Sequence, residues 1–158
     1  IPNAVSPFMI LFGDEKFYAK VDRKQVAHYI GDKLSADVDS KGVWKELVQK
    51  FDLYLLHKPY GHGREADIDK EVVQYWGDAI GRQRIIEVPN AERAVDIALG
   101  LIAKKWGQYG DFMNNMGARQ DSSAKALVTK SLRYVDDKTM PLSVMSTHAS
   151  RKTKPLDR

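Results

Sequence analysis

"FDLYLLHKPYGHG", residues 51–63, decides how this chain is read. Leu53, Tyr54, Leu55 and Leu56 are apolar without a break. A short continuous run of this kind suits a strand covered on both faces, as in a parallel sheet, rather than a strand with one face in water. The run stops at His57, and Pro59, Gly61 and Gly63 prevent any regular element from continuing. A buried strand thus empties into a loop carrying His57, Lys58, Tyr60 and His62.

Similar signals flank it. Upstream, Phe8 to Phe12 form a second continuous apolar run ending at Gly13-Asp14-Glu15. Asp22 is placed to cap a helix in which Val26, Ile30 and Leu34 recur every four residues. Polar residues 35–42 predict a loop, and Val43, Trp44, Leu47, Val48 and Phe51 a second helix. Downstream, Asp67 or Asp69 starts a helix with Ile68, Val72, Val73, Trp76 and Ile80 as its stripe, and Gly81 stands where a C-terminal glycine belongs. Arg84 to Val88 predict a third strand, stopped by Pro89. Asn90 caps a helix burying Ala94, Val95, Ala98, Leu99, Ile102 and Trp106. Ser122 or Ser123 opens a last helix with Leu127, Val128, Leu132 and Val135.

Strands alternating with helices predict an α/β protein: a three-layer, Rossmann-like open sheet, mostly parallel, with helices on both faces and right-handed crossovers. One antiparallel strand fits as well, because Phe17 to Val21 alternate in polarity and can fold back on residues 8–12. The expected organisation is an α/β domain over 1–121, a helix over 122–137 and a flexible basic tail over 138–158. Three strands are few for helices this apolar, and the chain opens Ile1-Pro2-Asn3 without an initiator Met. Both features lead us to expect further strands upstream of Ile1.

Composition narrows the function. Cysteine is absent, which removes thiolate metal sites, cysteine nucleophiles and disulfides, and fits a cytoplasmic setting. No apolar run approaches the ~20 residues of a membrane span. The net charge of +4 resides largely in the tail. Arg151, Lys152, Lys154 and Arg158 stand there against Asp157, leaving 21 basic and 20 acidic residues elsewhere. A broad phosphate-binding face is therefore not expected.

In open parallel sheets ligands bind beyond the carboxyl ends of the strands. The three strand-end loops bring Asp14, Glu15, His57, Lys58, Tyr60, His62 and Asn90 to one rim. Adjacent carboxylates at Asp14 and Glu15 are the oxygen ligands that Mg²⁺ takes. His57 and His62 lack the i, i+4 helical spacing of a zinc motif, and the chain has no P-loop, no G-x-G-x-x-G and no G-x-S-x-G elbow. His28 reads as a partly buried structural residue, and Trp44, Trp76 and Trp106 as core.

With these elements placed, Pro7 to Lys104 resembles the carboxyl-terminal half of a von Willebrand factor A-like domain. The resemblance rests on "FMILFGDE" (8–15), a strand ending in Gly13-Asp14, on "VWKELVQKFDLYLLHKPYG" (43–61), and on "RIIEVPNAERAVDIALGLIA" (84–103). The family's adhesion motif D-x-S-x-S is missing, and "DVDSKG" (37–42) does not replace it. The resemblance implies a non-enzymatic module that docks a partner protein, in bacterial members often an AAA+ ATPase, through Mg²⁺ at the rim. Asp14 would be one ligand, and others would come from outside the chain. The competing expectation is a small Rossmann-like enzyme that binds a phosphate or nucleotide through His57, Lys58 and His62.

Overall fold

The computed structural model describes residues 7–61 and 65–136. His62 and the whole basic tail expected over 138–158 lie outside the described residues. The chain forms two compact units, Ile1–Ala98 and Leu99–Arg158.

The first unit is built on a sheet of three parallel strands. β1 (Phe8–Gly13), β4 (Asp52–His57) and β5 (Ile85–Glu87) lie in the order β1-β4-β5. The register pairs Leu11 with Leu55 and Leu55 with Ile85. β4 is the centre: Leu53 to His57 are all buried, as an unbroken apolar run requires. Two helices cover one face, α2 (Ser40–Lys50) and α3 (Glu65–Ile80), which pack on each other and on β4. Leu53, Leu55, Ile85, Val72, Trp76, Ala79 and Ile80 form the core there, flanked by Met9, Leu11, Trp44 and Phe51. Tyr54, Leu56 and Ile86, whose side chains point the other way, are buried too. The architecture is the open, mostly parallel, Rossmann-like α/β sheet that the alternation predicts. Burial of four successive β4 side chains at about 1.5–3 kcal/mol each is a large part of what holds it.

Several local expectations are corrected. Phe17–Val21 does not fold back on β1. β2 (Lys20–Val21) instead pairs antiparallel with β3 (Val38–Asp39), in a separate two-stranded sheet. The cause is Phe17, whose ring lies 4.6 Å from Tyr75, 4.8 Å from Trp76 and 5.9 Å from Trp44. Apolar burial among these aromatics draws the segment over the helices and away from the strand edge. β3 also occupies part of the expected loop at 35–42, and Asp39 caps α2 through Gly42 N.

α1 (Arg23–Tyr29) is capped by Asp22 as expected, but it buries no residue, and Ile30 and Leu34 lie beyond its end in the exposed class. A stripe at period four does not make a buried helix when nothing packs on it. His28 is likewise exposed. α3 runs from Glu65, two residues before Asp67 and four before Asp69, so neither stands at its start. It ends as read: Gly81 has φ +92 and its amide bonds to Gly77 O.

α4 (Ala94–Lys105) crosses the boundary between the units, and its buried side is not the one expected. Ile97 and Leu101 are fully buried, whereas Val95, Leu99 and Trp106 are exposed. The sequence AVDIALGLIAKK is apolar nearly all round, so periodicity alone does not choose the face. The second unit continues α4 into α5 (Tyr109–Gly117) and α6 (Ser122–Ser131). Asp121, not Ser122 or Ser123, accepts from Ala124 N as the cap of α6. Gly100 lets the three helices meet, because a Cβ there would stand 2.8 Å from Leu132, 3.0 Å from Phe112 and 3.3 Å from Val128. No described helix is long and apolar enough to cross a membrane.

Candidate functional site: the carboxyl rim of the sheet

The three parallel strands end level. Gly13 of β1 pairs with His57 of β4, and His57 pairs with Glu87 of β5. The ladder runs slightly past the strands, with Lys58 N donating to Gly13 O (3.1 Å) and Val88 N to His57 O (2.8 Å). Paired residues share a face, so His57 and Glu87 stand side by side on the face that α3 covers.

His57 is the pivot. Its ring is 2 % exposed, and Nε2 lacks a hydrogen bond among the described residues. The nearest acidic oxygen, Asp69 Oδ1, is 3.7 Å away, too far for a good hydrogen bond. Burial lowers the His57 pKa, since a desolvated imidazolium is costly; Asp69, Glu87 and Asp14 oppose that trend. The neutral ring is thus the resting form at neutral pH.

Asp69 is not a helix cap. From the second turn of α3 it reaches back to the loop and accepts from Tyr60 N (2.9 Å) and, more weakly, from Gly61 N (3.4 Å). The loop after β4 is thereby tied to α3 while Asp69 faces His57. Tyr60 then ties that loop to the one after β1, its hydroxyl donating to Glu15 Oε1 at 2.7 Å. This bond raises the Tyr60 pKa to about 12, because ionisation would lose it next to a carboxylate. The Glu15 carbonyl accepts from Trp76 Nε1 at 2.8 Å. Two loops and one helix are locked together through four side chains.

The other expected rim residues separate in role. Lys58 Nζ turns back to Pro59 O at 2.6 Å. Asn90 Oδ1 accepts from Glu92 N at 2.9 Å, the cap of a single helical turn, which accounts for it structurally. Asp14 adjoins the rim between Gly13 and Glu15. Two contributors were not placed at the rim from the sequence: Asp69, read only as a helix start, and Glu87. Parity would have found Glu87, since it sits two residues beyond Ile85 on the covered face. Asp69 lies four residues from Glu65, one turn along the side of α3 that meets the loop.

Asp14 and Glu15 do not by themselves fit the Mg²⁺ that the family resemblance implies. Glu15 is already held at both its carboxylate and its carbonyl. Among the described residues no three His, Asp or Glu side chains gather in a metal-holding group. The rim gathers Asp14, Glu15, Asp69 and Glu87 near Lys58, whose ammonium turns back to Pro59 O, and near Arg82, whose charge also bears on His57. No family model matches the chain, and no curated protein and no solved structure matches it either.

Proposed function

We propose that the chain is a protein-interaction module of α/β, von Willebrand A-like type, working in the cytoplasm and docking a partner on the carboxyl rim of its sheet. The observation that supports it most is the tying of the two rim loops, by Tyr60 to Glu15 and by Asp69 to Tyr60 and Gly61. Such bonds give a preformed acidic edge, and preformed edges bind with little ordering cost. The carboxylates favour a partner with a basic docking surface, because charge complementarity speeds encounter and rejects acidic competitors. An AAA+ ATPase remains the partner class that the family resemblance offers. Mg²⁺ enters this reading only where a partner, or residues outside the described set, supply the ligands that Asp14 lacks.

The runner-up is a small enzyme that takes a phosphate or nucleotide at the same rim. A buried imidazole whose Nε2 makes no hydrogen bond among the described residues supports it. Two features weigh against it. The local charge is acidic, and the strand order β1-β4-β5 never reverses, so the described strands provide no switch-point crevice.

The test immobilises the chain in an extract of its own cell and compares the retained proteins with those held by Asp14→Asn/Glu87→Gln, with and without chelator. Retention that falls in the double variant, at unchanged melting temperature, supports docking on the rim. A chelator effect would add the metal. A rise in melting temperature with inorganic phosphate that disappears in Lys58→Ala would favour the enzyme instead.

A further inference from the structure

Asp69 stands between two claimants. Its Oδ1 accepts from Tyr60 N at 2.9 Å and its Oδ2 from Gly61 N at 3.4 Å, which ties the loop after β4 to α3. The same Oδ1 lies 3.7 Å from His57 Nε2. That gap is only about 1 Å wider than the separation that a charged imidazolium and a carboxylate keep when they bond. His57 is 2 % exposed, and Nε2 makes no hydrogen bond among the described residues. A neutral ring leaves Asp69 to the loop. A charged ring in so dry a place needs an acceptor, because a buried charge without one is among the costliest arrangements in a protein.

Four charged groups bear on the ring. Asp69 comes from α3, Glu87 from β5, Asp14 from the loop after β1, and Arg82 from the turn before β5. The three carboxylates favour the charged ring and Arg82 opposes it. On the ring's own loop, Lys58 turns its ammonium to Pro59 O, and Tyr60 gives its hydroxyl to Glu15. Among the described residues, Asp69 is the carboxylate at ion-pair distance from Nε2.

We infer that protonation of His57 moves the Asp69 carboxylate from the loop to the imidazolium, and so releases Tyr60 and Gly61 from α3. Closing the gap carries Asp69 about 1 Å toward β4. The bond to Gly61, long already at 3.4 Å, goes first. The consequence for docking rests on the reading of the rim proposed above. The rim is preformed while the ring is neutral and loosened once it is charged, and the new positive charge also opposes a basic partner. Burial sets the window. The tied loop is the state above about pH 6.5, and it is lost as pH falls through the lowered folded value of His57.

The experiment follows the His57 ring and the backbone amides of the full chain together by NMR as pH is lowered from neutral. The amide shifts of Tyr60 and Gly61 should move with the midpoint of the His57 ring, while Leu53 to Leu56 stay still. Asp69→Asn keeps an acceptor for Tyr60 N but offers an imidazolium no counter-charge. In that variant the His57 ring should titrate lower, and the two amides should no longer follow it. In His57→Gln the same amides should stay unmoved over that range. A His57 ring that titrates with Tyr60 and Gly61 unmoved would overturn the inference. So would loop shifts that persist in His57→Gln, or a transition that moves Leu53 to Leu56 as well, since these point to another proton or to general unfolding. Docking is read separately, on proteins whose retention by the chain depends on Asp14 and Glu87. They should be released as His57 charges, and retention that ignores the His57 midpoint would overturn that consequence. Loop shifts that follow His57, with no such retention at any pH, would count against the docking reading and uphold the switch.

Discussion

β1 and β4 are neighbouring strands of the same length and nearly the same character, FMILFG and DLYLLH. Their fates differ. β4 is closed on both faces from Leu53 to His57, while β1 has no buried residue and exposes Phe12. The contrast follows position: among the described residues β4 has a strand on either side and β1 has one. Apolar content therefore reports that a strand seeks burial, not that the described fold supplies it.

Truncation should break the comparison open. Leu53→Ala empties a fully buried site under α3 and should cost about 2–5 kcal/mol by denaturant unfolding. Phe12→Ala should cost roughly 1 kcal/mol or less when the protein is dilute, since half of that ring is already in water. Equal costs at both positions in dilute solution would mean that β1 is no edge.

Trp76→Phe probes what joins the rim to the core. It removes the bond from Nε1 to Glu15 O and trims the ring that packs on Phe17, and should cost about 2 kcal/mol. The same variant should loosen Glu15, read as faster amide exchange in residues 14–16.

His57 adds a pH dependence that no β1 residue has. Its folded pKa lies below the ordinary value of about 6.5, so the unfolded chain binds the proton more readily. The stability that this group protects is complete above about pH 6.5 and is lost as pH falls toward the lowered folded value. The melting temperature should fall on acidification below about pH 6.5, with a slope of at most about 1.4 kcal/mol per pH unit from this one group. His57→Phe should flatten that part of the profile. An unchanged profile would show that the ring charges without penalty.

The smallest effect belongs to Tyr60. In a spectrophotometric titration Tyr60 should ionise near pH 12, above the free phenol value of about 10, and Tyr60→Phe should remove that step. Its melting temperature should barely move, because the ring is exposed.

Much of this fold is legible in the sequence where one signal has one meaning. The unbroken run at 53–56, Asp22 and Asn90 as caps, and the glycine at 81 each act locally, and each is where its chemistry puts it. Reading fails where a tertiary contact decides. The segment at 17–21 follows Phe17 into an aromatic cluster, and α4 turns a face that no periodicity marks. The rim was legible by position, because strand ends follow from strands. Its wiring was not: Asp69 serves a backbone nine residues earlier, and Glu87 meets His57 only once the register is known.

The central claim is that partners dock on the carboxyl rim, and backbone amide shifts test it most directly. A protein retained from the extract would be titrated into isotopically labelled chain. The account predicts shifts that concentrate in residues 13–15, 57–61 and 87–90 and that shrink as salt rises. Shifts gathered on α1, on β2 and β3, or in the second unit, with the rim unmoved, would contradict it.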